Sequence, residues 1–153
     1  MGSCSRRRPS SSITFTQDTL TAVFAELAGA AFVVSKEFPF RPLPEYEVWT
    51  ADVAIVERAR YIATAKDDYF LGTPLIVIEV LSPSNTASEI LDREEICLAN
   101  GAKEFWLVDP KRQSIKVTYA SGVVRHFHAD SRIPLEAIPG CVLEVSRIFP
   151  KTA

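Results

Sequence analysis

The run Leu75-Ile76-Val77-Ile78-Glu79-Val80-Leu81 constrains this chain more than any other stretch. Apolar side chains at consecutive positions fill both faces of a strand, so the run belongs inside a sheet covered on either side. Covering two faces takes helices, and two stretches carry apolar residues at helical spacing. Leu20, Val23, Phe24 and Leu27 form one stripe, with Thr16 or Asp18 as its cap and Gly29 as its end. Ile90, Leu91, Cys97 and Leu98 form the second, over residues 88–100, with Ser82 and Ser84 read as its caps and Gly101 as its stop.

Further strands are predicted over 31–38, 48–56, 104–108, 114–119, 123–128 and 142–149. Pro39, Pro42 and Pro44 force an irregular connection after the first, and the polar stretch 57–72 reads as a loop with a helical turn, suited to a mobile flap. Helix, three strands, helix, then several strands is the order of an α/β fold, a mixed β-sheet flanked by helices, not of a regular βαβ series.

Composition narrows the function. At 153 residues the chain has the length of one domain, predicted over 13–153 behind a disordered Ser/Arg tail at 1–12. Arg6, Arg7 and Arg8 in that tail read as solvated charge. Seventeen Lys and Arg against nineteen Asp and Glu leave a net charge of −2, so there is no global field to draw in nucleic acid and any such contact is local. Cys4, Cys97 and Cys141 are odd in number and form no C-x-x-C pair, which fits a reducing cytoplasm and excludes a disulfide scaffold or zinc ribbon. No apolar run approaches the roughly 20 residues of a membrane-spanning helix.

Chemistry is concentrated in two misplaced acids. Glu79 lies within the apolar strand, where an ionised carboxylate is costly unless it is paired or binds metal. Asp52 heads a second apolar run, Ala51-Asp52-Val53-Ala54-Ile55-Val56. If the two strands are neighbours, the acids meet at one edge and form a hard-oxygen site for Mg2+ or Mn2+, the metal of a phosphodiesterase. The competing reading for either acid alone is a salt bridge to a lysine or arginine.

Such chemistry also wants a cation, and Arg93 lies about 60° from Ile90 and about 40° from Cys97 around the helix, at the rim of its sheet-facing stripe. Its competing role is a surface pair with Glu89. His126 and His128 share a strand face but lack a third ligand nearby. Trp49, Phe105 and Trp106 sit in apolar strand patterns and read as core.

Asp52 before its apolar strand, then Glu79-Val80-Leu81-Ser82-Pro83-Ser84, then a basic residue on the following helix, then Glu104-Phe105-Trp106-Leu107-Val108-Asp109-Pro110, resemble the Uma-two family of restriction-endonuclease relatives. The resemblance runs from about Gln17 to Phe149. It implies the restriction-endonuclease-like fold of the PD-(D/E)XK superfamily, with Asp52 and Glu79 as ligands of magnesium and Arg93 in the place of the family's lysine. The chain departs from the pattern at Arg93, at Glu94 where an apolar residue is usual, and at Cys97 where a tyrosine is usual. The family's leading tyrosine, glutamate and glycine signature is missing before Gln17, so a shortened front is expected.

Arg93 carries a permanent charge that can steady a phosphate but not act as a base. Glu94, in the middle of the apolar stripe, is expected either to join the metal site or to spoil it. The function implied is a Mg-dependent endonuclease that hydrolyses DNA phosphodiester bonds, with a homodimer as the geometry for cutting two strands. The alternative is a catalytically decayed homologue that serves as a DNA- or protein-binding module.

Overall fold

A computed structural model of the chain describes residues 11–64 and 68–149. Seven strands form one mixed sheet: β1 (Phe32–Arg41), β2 (Trp49–Glu57), β3 (Phe70–Leu71), β4 (Ile76–Val80), β5 (Glu104–Asp109), β6 (Ser114–Tyr119) and β7 (Val124–Phe127). Their spatial order is β3-β1-β2-β4-β5-β6-β7. β4 runs parallel to β5 and β3 parallel to β1, and the other neighbours are antiparallel. Two short strands, β8 (Arg132–Pro134) and β9 (Val142–Glu144), pair separately.

β4 is buried at every position, as its double-sided apolar pattern requires. One face is covered by α1 (Ser11–Ala28), whose Leu20, Val23 and Phe24 pack with Val53, Ile55, Ile76, Ile78 and Trp106. Phe24 meets Trp106 edge-on, 5.2 Å between ring centroids. The other face carries α3 (Ala87–Ala99), where Cys97 is buried and Ile90 and Leu98 pack toward Ala54, Val77 and Phe105. A short α2 (Arg58–Thr64) follows β2 directly.

Several boundaries differ from the pattern reading. The first helix begins by Ser11, so Thr16 and Asp18 lie inside it and do not cap it. Ile13, about two turns before the stripe read from sequence, packs on the α1-side core and carries the helix forward. Ser11 and Ser12 therefore belong to α1, and the rest of the expected tail, residues 1–10, lies outside the described residues. The cap of α3 is Thr86, whose hydroxyl accepts from Glu89 N–H at 3.2 Å. Ser82 and Ser84 instead bond each other in the preceding turn, where the Ser82 N–H and hydroxyl also donate to Asn85 Oδ1.

Leu91 turns outward and is 55% exposed, because the sheet-facing stripe of α3 is narrower than the four positions assigned to it. The terminal strand stops after Glu144 and turns into a single 3-10 turn, Val145–Arg147, anchored by Val145 N–H to Ser131 O at 3.1 Å. The stretch 57–72 holds more structure than a loop with one turn: Glu57 ends β2, then come α2 and the two-residue β3.

Candidate active site

Asp52 and Glu79 come together because β2 and β4 are antiparallel neighbours. The pairing runs Ile55↔Ile76, Ala54↔Val77 and Val53↔Ile78, which brings Asp52 opposite Glu79 one step further, where the ladder stops. At that step the strand changes face. Val53 and Ile55 belong to the α1-side core, yet Ala51, two residues before Val53, belongs to the α3-side core. β1 makes the same change, with Phe32 and Val34 on one side and Phe38 and Phe40 on the other. The reversal in β1 falls at Glu37, whose φ of 49° is left-handed, and Glu37 lies opposite Asp52 in the register set by Lys36↔Val53 and Phe38↔Ala51.

With β2 twisting away, the Val80 N–H donates to Asp52 Oδ2 at 2.7 Å instead of to a strand carbonyl. The Gln17 side-chain amide, from α1, donates to Asp52 Oδ1 at 3.0 Å. One backbone and one side-chain donor thus fix the carboxylate, and lone pairs on both oxygens stay available for a cation. Gln17 is 2% exposed, so its amide is held for this purpose inside the helix-sheet interface.

Glu79 is buried, and its carboxyl is pushed well above the ordinary range, first by burial and then by the Asp52 carboxylate. Arg93 opposes the rise: its Nη1 lies 3.4 Å from Glu79 Oε1, and its guanidinium sits over the Trp49 ring at 5.6 Å from the centroid. Below them, burial and the nearby Glu79 push the Cys97 thiol up to about 12, which leaves it protonated and unreactive. Glu79, Arg93, Asn85, Glu89, Ile90 and Leu107 line a cavity of about 40 Å³, larger than the ~10–15 Å³ that one water requires.

The sequence-derived residues are thus brought together: Asp52, Glu79 and Arg93 share one site, and Arg93 pairs with Glu79 in place of Glu89. Glu94 does not join the site: its carboxylate is engaged on β6. It accepts a short hydrogen bond from the Thr118 hydroxyl and lies 3.9 Å from Lys116 Nζ, both on β6. Trp106 and Phe105 are core, as read, whereas Trp49 is only partly covered and forms the floor under Arg93.

Residues 8–146 match a family model, Uma2, described as "Putative restriction endonuclease". The chain belongs to the Uma2 family. A solved structure with the same fold is the "putative nuclease belonging to DUF820 from Anabaena variabilis ATCC 29413", with a TM-score of 0.81 and 19% identity. The match covers 92% of this chain and 82% of that one. No curated protein sequence matches the chain. The fold is therefore the α/β fold shared with that structure, a seven-stranded sheet flanked by three helices among the described residues.

Gln17 is the site residue that pattern reading passed over. Its signal was present: Gln17, Leu20 and Phe24 stand at i, i+3 and i+7, so a polar side chain interrupts the buried stripe of α1. Among the described residues no three His, Cys, Asp or Glu side chains converge as a metal cage. Two carboxylates with open lone pairs suit a cation that keeps its waters and binds substrate phosphate, as magnesium does, and not a zinc-type enclosure.

Proposed function

We propose that this Uma2 protein is a divalent-metal-dependent endonuclease that hydrolyses DNA phosphodiester bonds at Asp52, Glu79 and Arg93. The observation that carries the reading is the pair of convergent acids, Asp52 held by the Val80 N–H and Glu79 buried beside it, with its carboxyl raised first by burial and then by Asp52. Close carboxylates of this kind leave a negative site that a cation relieves. Asp52 and Glu79 would hold Mg2+ or Mn2+, which supplies Lewis acidity toward a phosphodiester and toward water.

The remaining work falls to the chain. Gln17 and the Val80 N–H hold Asp52 in one orientation, and a fixed acceptor costs no reorganisation when charge shifts during reaction. Arg93 keeps Glu79 toward its ionised form and presents a permanent cation to the charge that gathers on phosphorus-bound oxygens. Arg93 cannot take a proton from water, so the base is Glu79 or a second water.

The same Arg93 contact favours a second reading, because a guanidinium already beside Glu79 neutralises part of the charge that would attract metal. In that reading the protein is a decayed homologue that binds DNA or protein without cutting. Conversion of Arg93 to Lys together with Glu94→Leu separates the two. A nuclease at full function gains nothing from the double change, whereas a decayed site regains cleavage.

No helix of the described residues is long and apolar enough to cross a membrane, and Cys97 and Cys141 are free thiols, which supports a cytoplasmic setting. A symmetric dimer would supply two sites for cutting both strands. Nicking of supercoiled plasmid DNA with Mg2+, present in the wild type and lost in Asp52→Asn, tests the proposal.

A further inference from the structure

A second cavity, of about 180 Å³, lies two strands away from Glu79. It is lined by Phe38, Tyr61, Tyr69 and Phe70, with the polar groups of Ser35, Thr64 and Asp68 among them. Phe38 lies 5.7 Å from Phe70 and 6.2 Å from Tyr61, centroid to centroid; Phe38 and Phe70 are buried, and Tyr61 is 40% exposed. Cations stand against two of these rings: the Arg41 guanidinium is 4.8 Å from the centroid of Tyr69 and that of Arg60 is 5.0 Å from Phe70. Arg41 Nε has no hydrogen-bond partner among the described residues.

Size and chemistry select the occupant. Pockets for whole cofactors or drug-sized ligands begin at roughly 300 Å³, so this one suits a single planar ring. Aromatic faces stack on any nucleobase, and a carboxylate such as Asp68 accepts from an exocyclic amine like that of cytosine. Position agrees as well. Phe38 pairs with Ala51, the neighbour of Asp52, and Phe38 and Ala51 both belong to the α3-side core, the side of the sheet on which Arg93 of α3 meets Glu79. Two strand spacings, about 10 Å, separate β1 from β4.

We propose that this cavity receives one unpaired base of the substrate strand, next to the phosphate held at Asp52 and Glu79, so that the enzyme acts on single-stranded or locally opened DNA. A base inside a duplex cannot enter such a cavity without leaving the stack. The inference rests on the nuclease reading and narrows it from DNA in general to DNA with an unpaired base.

The test measures binding of fluorescein-labelled octamers to the full chain in metal-free buffer: oligodeoxycytidine, a sugar-phosphate octamer without bases, and an eight-base-pair duplex. The wild type is expected to bind oligodeoxycytidine about 10-fold or more tightly than either of the others. Tyr61→Ala is expected to bring binding down to the abasic level, Tyr61→Phe to preserve it, and Asp68→Asn to erase a preference for oligodeoxycytidine over oligothymidine. Equal affinity for base-bearing and abasic octamers overturns the proposal with no variant needed, and so does unchanged binding by a folded Tyr61→Ala. Plasmid nicking, scored separately, distinguishes the two failures: nicking without base-dependent binding removes the cavity's role alone, whereas base-dependent binding without nicking supports the cavity and removes the nuclease.

Discussion

The Gln17 side chain of α1 donates a 3.0 Å hydrogen bond to Asp52 on β2, tying the first helix to the acid that the sheet leaves at its break. The Gln17 amide is buried, and Asp52 is its partner on the sheet. Gln17→Leu fills a similar volume and removes the donor, leaving Asp52 with the Val80 N–H alone. Groups that orient a metal ligand typically account for 10–100-fold in metal affinity or activity. We expect Gln17→Leu to lower cleavage by about that factor with little loss of helix content, measured by nicking rate and circular dichroism.

Glu79 predicts a pH dependence of the metal-free protein. Its carboxyl is raised in the folded state, so the folded chain binds a proton more tightly than the unfolded chain does. Stability is then highest below the ordinary carboxylate range and falls as pH rises above the ordinary 4.5 toward the raised value. Glu79→Gln removes this loss. The variant should melt at a higher temperature than the wild type near neutral pH, with the difference shrinking as pH falls, and should be inactive in cleavage.

Arg93 separates charge from proton transfer. Arg93→Ala leaves Glu79 with no counter-cation, so its pKa rises further and cleavage should fall by about 100-fold, the scale of losing one preorganised electrostatic group. Arg93→Lys keeps the charge but loses the stacking on Trp49, and should stay within about 10-fold of wild type. A rise of more than 10-fold in Arg93→Lys would instead mark the native arginine as a lesion in the site.

Glu94 makes the opposite prediction. Its contacts run to Thr118 and Lys116 on β6, away from Asp52 and Glu79. Glu94→Gln should leave the nicking rate within about two-fold of wild type. Loss of the charge on a mostly buried hydrogen-bonded group should lower stability by about 1 kcal/mol, read from a urea melt.

Asp52, Glu79 and Arg93 were legible because a charge in an apolar strand, or at the rim of an apolar helix stripe, breaks a strong period. Gln17 was harder to read, since an isolated polar residue near a helix start looks like solvent-facing surface until the stripe is extended back to Ile13. The face change at Asp52 has no local signature. It depends on β1 changing face at Glu37, a residue fifteen positions earlier, through pairing that the sequence does not display. β3 and β8, at two and three residues, are too short for alternation to show, and the partners of Glu94 come from a strand 24 residues away. Long, doubly apolar elements such as β4 carry their structure in their own residues, and sites assembled between elements do not.

In the proposed function, Asp52 and Glu79 hold a divalent metal for phosphodiester cleavage. The most direct measurement is nicking of supercoiled plasmid by wild type and Asp52→Asn side by side, with Mg2+ and with Mn2+, after circular dichroism shows both to be folded. Metal-dependent nicking by the wild type, and none by Asp52→Asn, is expected. Equal nicking by the two proteins, or none by the folded wild type with either metal, would contradict it.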